Sequence, residues 1–461
     1  MAEHSGTVES TLDALLTEKK YSTIRDILIT MNPADIASVF DSMEEERLPL
    51  LFRLLPKELA AETFVEMEPD AQELLIRGFS DSELREVVDE LYVDDAVDIV
   101  EEMPANVVRR ILSQADPQMR KDINEILRYP ENSAGSIMTT EYVSLRPDMT
   151  VEESILRIRR TGVDKETIYT CYVTRDRLLL GLITVKDLLL AQDDGMHISE
   201  LMETNVISVN THTDQEEVAQ MLSKYNFLAL PVVDGENRMV GIVTFDDAMD
   251  VLEDEATEDM EIMGGMTPSD KTYLRSTTFD LFRHRIPWLM LLMVSATFTG
   301  LIITKFEDAL KMQVALTALI PMLMDTGGNS GSQSSVTIIR ALSLGELEFS
   351  DLGRVIWKEI RTAVLCGLAL AVVCFGKILL VDRLLMGNDS ISVMVSLVVC
   401  LTMALTVLVA KVVGCILPML AKKIGFDPAV MASPFITTIV DALSLLIYFG
   451  IASTLLPGIS G

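Results

Sequence analysis

The sequence predicts a multi-domain chain: an all-α superhelical N-terminal domain, a duplicated α/β pair, a connecting helix and a five-helix α transmembrane domain. Three observations predict it. The 461 residues are too many for one ordinary domain. The formal net charge of −31 is confined to the front of the chain. From Ile286 onward there are 11 acidic and 11 basic residues, which leaves 58 acidic and 27 basic in residues 1–285. The neutral back part holds apolar stretches at about 286–304, 312–340, 355–381, 391–421 and 428–456, and a hydrocarbon core takes about 20 residues to cross.

Residues 1–20 read as an N-terminal extension without a basic run followed by an apolar core, so a cleaved signal peptide is not expected. Residues 21–132 read as an acidic helical domain. Pro33, Pro56, Pro69, Pro104 and Pro117 each fall near a helix start, where proline is tolerated. Fragments such as NPADIASVFDSM and VDDAVDIVEEMP share an acidic-apolar pattern and predict a loose stack of short helices.

Residues 133–194 and 195–248 are two copies of one unit. Gly181-Leu-Ile-Thr184-x-x-Asp187 aligns with Gly241-Ile-Val-Thr244-x-x-Asp247, each after an apolar strand and before a helix. The Thr and Asp can cap that helix. The duplication resembles a tandem CBS-domain pair. The resemblance implies a second use for Asp187 and Asp247, holding the ribose of an adenosine nucleotide such as ATP.

Residues 249–275 read as a connecting helix and its tail. Asp250, Asp254, Glu258 and Glu261 recur at spacings of three or four and share a helical face. Like charges so placed repel, and a divalent cation or basic neighbours would relieve them. The transmembrane domain, 276–461, starts and restarts with Trp288 and Trp357 near segment ends, as interfacial anchors do. Arg283, Arg285, Arg354, Lys358, Arg361, Lys422 and Lys423 fall on one side of the predicted spans. That bias puts the acidic front part in the cytosol and the C-terminus outside the plasma or inner membrane.

Two membrane stretches carry chemistry. Asp441 is the one charged residue between Pro428 and Leu456. A carboxylate at membrane depth faces a bundle interior, a partner or a water-filled path. The plainer alternative is a helix-packing acid. The second stretch, Pro321-Met-Leu-Met-Asp325-Thr-Gly-Gly-Asn329-Ser-Gly-Ser-Gln333, predicts irregular backbone lining a cavity. Close packing of small residues accounts for its glycines but less well for Asp325, Asn329 and Gln333. In the last span, Pro434 is expected to free the carbonyl of Val430, and Pro434, Thr437 (or Thr438) and Asp441 can line one face. Oxygen-only lining favours Mg²⁺, Ca²⁺ or Mn²⁺ over softer metals. Mg²⁺ keeps its water shell, so the groups would contact bound water. One carboxylate per chain is few for a divalent ion, and five spans make a thin bundle. Both points favour a two-fold homodimer.

Over essentially its whole length the chain resembles the MgtE family of magnesium transporters. The resemblance rests on the acidic helical front, the CBS pair, the EDEATED helix, the span-two run above and D-P-A-x-x-x-x-P-F-x-T-x-x-x-D around span five. It implies a dimeric, Mg²⁺-selective, channel-like pore. Asp441 would hold hydrated Mg²⁺ at its centre, with Asn329, Gly328, Ser433 and Thr437 beside it. Many members carry Asn where this chain has Ser433, and a hydroxyl reaches less far than an amide. The resemblance also implies closure by cytosolic Mg²⁺ bound on acidic surfaces, to which Asp94, Asp98, Asp247, Asp250, Glu255, Glu258 and Asp259 contribute.

Two other readings compete. One is an ion-coupled secondary transporter of another divalent cation, such as Mn²⁺ or Co²⁺, in which Asp441 titrates. The other is a membrane-tethered nucleotide sensor, which does not call for Asn329 and Asp441 at membrane depth. The acidic front repels nucleic acid, and no P-loop, nucleophile elbow or HExxH motif suggests an enzyme. The five cysteines form no CxxC pair, so neither a disulfide framework nor a zinc site is expected.

Overall fold

The computed structural model describes residues 2–269, 273, 276–385, 387 and 391–456; the side chains of 2–7, 308, 309, 312 and 433 are outside that set. The chain forms two compact units, 1–252 and 253–461.

The first unit opens with short helices: α1 Ala2–Thr17, α2 Tyr21–Leu28, α3 Pro33–Ser42, α4 Leu48–Phe52, α5 Lys57–Val65, α6 Pro69–Gly78, α7 Asp81–Val88, α8 Val93–Glu102, α9 Ala105–Gln114 and α10 Pro117–Ile126. Pro33, Pro69 and Pro117 stand at first helical positions, while Pro56 and Pro104 are N-cap residues. Their missing N–H groups fall where no helical bond is lost. Leu12 of α1 is fully buried in the same core as Ile24 and Phe40, so the segment read as an extension packs as part of the helical domain.

The duplicated pair follows: β1 Tyr142–Leu145, α11 Val151–Thr161, β2 Thr167–Arg175, β3 Leu178–Thr184, α12 Val185–Leu189, α13 Ile198–Leu201, β4 Val209–Asn210, α14 Gln215–Tyr225, β5 Ala229–Val233 and β6 Met239–Thr244. The sheets have orders β1-β2-β3 and β4-β5-β6, each with one parallel and one antiparallel pairing. The copies also cross-brace. A Cβ at Gly181 would lie 2.7 Å from Glu203 O, and one at Gly241 would lie 2.6 Å from Thr139 O. Those contacts explain the glycine that opens each repeated motif.

α15, Phe245–Met263, starts directly after β6 and ends in the second unit. That unit continues with α16 Thr278–Lys305, α17 Glu307–Met312, α18 Ala315–Ser343, α19 Leu352–Lys377, α20 Val393–Ile424 and α21 Ser433–Leu455. Four stretches among the described residues are long and apolar enough to cross a membrane: Thr278–Lys305, Phe349–Leu385, Val393–Ile424 and Pro428–Leu455. The expected second span is α18, which has the length but carries the polar run instead.

Two expectations about backbone are corrected. α18 runs unbroken through Pro321 and the glycines. Its glycines serve packing: a Cβ on Gly331 would meet Ile436 Cγ2 at 2.8 Å and Ala410 O at 3.3 Å, and Gly414 of α20 lies directly against the Gly331 backbone. Small residues let these helices approach where no hydrophobic force drives them together. Pro434 does not interrupt a helix. It sits in the first turn of α21, after a separate 3₁₀ turn at Pro428–Met431. A proline there costs no helical hydrogen bond.

Candidate functional site

α18 has two unlike faces. Gly327, Gly328, Ser330, Gly331, Ser334, Ser335, Ile338 and Ile339 are buried. Asp325, Asn329, Gln333, Thr337 and Arg340 are exposed and recur every three or four residues, so they form one stripe. Asn329 Nδ2 donates to Asp325 Oδ1 at 3.2 Å. The half-buried Asp441 of α21 feels Asp325 as a like charge. Gly328 is pressed against Thr437: a Cβ there would be 3.0 Å from Thr437 Cγ2. Thr437 Oγ1 donates to Pro434 O at 2.9 Å, which leaves its lone pairs for a water donor. The Ser433 side chain lies outside the described residues. The arrangement offers two carboxylates, an amide and a hydroxyl, all oxygen ligands suited to a hard, hydrated cation.

The first unit contains a second acidic site. Asp94 (α8), Glu141 (before β1) and Glu166 (before β2) each bring one carboxylate oxygen within 4.8 Å of the others. Oxygens around an octahedral Mg²⁺ stand about 3–4 Å apart, given ligand distances of roughly 2.1 Å. A small closure, or bound water, would complete such a shell. Asp94 Oδ1 and Glu166 Oε2 are buried without a hydrogen-bond partner among the described residues. Buried acceptors left so are costly, and a cation would satisfy them.

Burial, with Asp247 and Asp95 nearby, raises the Asp94 pKa well above the usual carboxylate range. Burial followed by Asp247 and Asp246 pushes Asp95 up to about 7. Burial followed by Asp95 and Asp247 pushes Glu166 up to about 8. Asp247 itself rises to about 6, mainly through burial. Glu141 is also raised by burial, although Val93 N donates to its Oε2 at 3.1 Å. Like charges packed this closely either keep protons or take up a cation. Asp98, one turn beyond Asp94, is at the exposed rim, and Asp250 is exposed on α15.

At the far end of α15 the second unit holds a docking contact. Ile262 and Met263 pack against Ile339, Ala429 and Ala432, and Ser343 Oγ donates to Asp259 Oδ2 at 2.9 Å. Gly265, at φ +71°, comes so close to Pro434 that a Cβ would lie 2.9 Å from its Cγ. Burial raises the Asp259 pKa, the Ser343 hydroxyl opposes this, and Asp427 adds to it. Glu255 is half-buried and Glu258 exposed on the same helix.

The repeated Thr/Asp pairs act as caps. Asp187 N bonds Thr184 Oγ1 at 3.1 Å, and Thr184 Oγ1 donates to Asp187 Oδ2 at 2.5 Å. Thr244 Oγ1 donates to Asp247 Oδ2 at 2.5 Å. The copies differ in setting: Asp187 is exposed, whereas Asp247 is drawn into the acidic cluster.

A polar, oxygen-bearing helix in an apolar bundle, carried behind a duplicated α/β pair and an acidic helical domain, defines a membrane transporter for divalent cations. Known proteins agree. Residues 320–451 match "MgtE: Divalent cation transporter", residues 31–132 match "MgtE intracellular N domain", and residues 134–194 and 198–254 match "CBS domain". The chain is 37% identical over 453 residues to "Magnesium transporter MgtE" of Thermus thermophilus, covering 97% of this chain and 98% of that protein. It is 33% identical to "Magnesium transporter MgtE" of Bacillus subtilis, covering 95% of each. The structure titled "Crystal structure of the cytosolic domain of the Mg2+ channel MgtE in complex with ATP" aligns with TM-score 0.50 and 38% identity over 53% of this chain and 99% of that one. "Crystal structure of the soluble part of a magnesium transporter" aligns with TM-score 0.51 and 30% identity over 55% and 99%. The chain belongs to the MgtE family of magnesium transporters.

Sequence reading missed Glu141 and Glu166, which stand singly before strands in an already acidic chain. It also left Asp95, Asp246 and Asp325 out of the site. For Asp325 a signal existed: its four-residue spacing to Asn329 and Gln333.

Proposed function

We propose that the chain is a Mg²⁺-selective, channel-like transporter that works as a homodimer and is closed by cytosolic Mg²⁺. The observation that carries the reading is the exposed stripe Asp325–Asn329–Gln333 on α18, with Asp441 beside it. A stripe of carboxylate and amides cannot face lipid without large cost. A second copy across a two-fold axis would enclose it and supply a matching pair of Asp441 carboxylates. A hydrated Mg²⁺ would then contact Asp441, Asn329 and Thr437 through its water shell, with Gly328 giving the two helices their close approach. Ser433 lies at the same end of α21 as Pro434.

The acidic front part lies in the cytosol in this reading, with the C-terminus outside, as the Lys/Arg bias of the loops suggests. Mg²⁺ at Asp94, Glu141 and Glu166, steadied by Asp247 and Asp98, would draw the helical domain onto the CBS pair. Asp250, Glu255, Glu258 and Asp259 would carry further ions along α15. Occupied sites favour the docked α15 end and a shut pathway; vacant sites leave the carboxylates to repel one another. A nucleotide such as ATP suits Asp187, which is exposed, better than Asp247, where phosphates would meet buried carboxylates.

The test is Mg²⁺ flux into proteoliposomes with and without pH or Na⁺ gradients. Flux down the Mg²⁺ gradient alone, lost in Asp441→Ala, is the expected result. Flux that demands a coupling gradient would instead support the secondary-transporter reading.

A further inference from the structure

Lys411 is 5% exposed in the middle of α20, about 20 Å of helix before Ile424 at roughly 1.5 Å per residue. A lysine at that depth is costly unless partnered, and such residues mark function by default. Lys411 Nζ donates to Ser334 Oγ at 3.3 Å, and Ser334 Oγ donates to Glu359 Oε2 at 2.7 Å. The three residues come from α20, α18 and α19. A hydroxyl has one hydrogen, and here Glu359 receives it, so the lone pairs of Ser334 are turned to the ammonium. The chain therefore has one polarity, from cation through hydroxyl to carboxylate.

Its place on α18 gives it meaning. Ser334 follows Gln333 of the exposed stripe directly but, about 100° further round the helix, is itself on the buried face. Further ties hold that buried face: Ser335 Oγ donates to Met431 O at 2.7 Å, and Lys422 Nζ donates to Leu342 O at 2.8 Å. Those ties end on backbone carbonyls, whereas the Lys411 chain sets two full charges on either side of one α18 hydroxyl. In a low-dielectric bundle, charge-assisted bonds are strong and strongly directional.

We propose that Lys411, Ser334 and Glu359 form a clamp that sets the rotation and height of α18, with Lys411 as a positioning residue for ion passage. A slip of one residue would turn the helix by about 100° and carry Asn329 and Asp325 out of line with Asp441. Glu359 neutralises the ammonium, so the clamp adds rigidity without placing a net positive charge behind a cation path. The inference rests on the pore reading above.

The test uses the full-length protein in proteoliposomes, with Asp441→Ala as reference and size exclusion plus thermal unfolding in detergent as folding controls. Mg²⁺ flux is measured against Mg²⁺ concentration, and discrimination against Ca²⁺ beside it. Ser334→Ala and Lys411→Met should raise the half-saturating Mg²⁺ concentration by about 3- to 10-fold and relax discrimination, the scale expected when ligands shift by a fraction of an ångström. Lys411→Arg should stay nearer the parent. Lys411→Met/Glu359→Gln should be no worse than the worse single variant, because the three act as one unit. If Lys411→Met does not fold, Ser334→Ala decides alone, since it removes the bridge and keeps both charges. The clamp is overturned if Asp441→Ala abolishes flux while folded Ser334→Ala keeps the parent's concentration dependence and selectivity. Flux that survives in Asp441→Ala removes the pore reading, and the clamp falls with it.

Discussion

Asn329 donates from Nδ2 to Asp325 Oδ1 at 3.2 Å, one turn earlier on the same exposed face of α18. This bond fixes which way the amide points. Its nitrogen is spent on the carboxylate, so its oxygen is left to accept from an ion's water shell. Asp325 thus acts twice, as orienter of Asn329 and as a charge beside Asp441.

Replacement of Asp325 by Asn therefore keeps shape but removes charge. Mg²⁺ flux should fall by about tenfold, the equivalent of one charge-assisted hydrogen bond at ~1.4 kcal/mol. Asp441→Ala should be much worse, and the double variant should match Asp441→Ala. Flux assays in proteoliposomes check this; a silent Asp325→Asn would remove it from the pathway.

The contact of Gly331 with Gly414 sets a packing test. Gly414→Val forces a branched side chain into the Gly331 backbone and should cost about 1–3 kcal/mol. The readout is a lower unfolding temperature in detergent. Gly376, with open space around its Cβ position, is the control and should tolerate Ala.

The acidic cluster predicts a pH dependence of defined sign. Asp95 and Glu166, at about 7 and about 8, lie above their ordinary values in the folded state. Between about pH 4 and pH 8 the folded unit then binds more protons than the unfolded chain, so stability falls as pH rises. Without Mg²⁺, a fragment of residues 1–252 should melt lower at pH 8 than at pH 6. Mg²⁺ need not displace protons at pH 8, so its stabilisation should be larger there. Thermal unfolding with and without Mg²⁺ at the two pH values measures both effects.

Glu141→Gln/Glu166→Gln relieves the repulsion and removes two ligands. The fragment should be more stable without Mg²⁺ and gain less from adding it. In the full chain, closure by internal Mg²⁺ should need a concentration at least about tenfold higher, a loss of ~1.4 kcal/mol or more for the pair of ligands. Open-state flux should be spared. Patch-clamp recording with varied internal Mg²⁺ distinguishes these; an unchanged closing concentration removes the pair from gating.

Ser343→Ala takes the donor from Asp259, a half-buried carboxylate whose pKa burial already raises. The docked end of α15 should release more readily, and single-channel recordings at fixed internal Mg²⁺ should show longer openings. Protease access to the segment after Met263 gives an independent readout.

Much of this protein was legible from its residues in order. Local rules sufficed where the determining contact lies a few residues away: prolines at helix starts, the two Gly-x-x-Thr-x-x-Asp copies, the acidic face of α15, and the cost of Asp441 in an apolar run. The separation of charge into an acidic front and a neutral back is likewise a property of the chain itself. The tertiary structure alone decided what depends on partners distant in sequence. It converted the glycine-rich run from expected irregular backbone into a close-packed helix, because Gly414 and Thr437 supply the opposing surfaces. It joined Glu141 and Glu166 to Asp94, which no periodicity connects. It also gave Lys411 a hydroxyl and a carboxylate on two other helices. Sequence states the cost of each buried charge; only the fold brings together the groups that offset it.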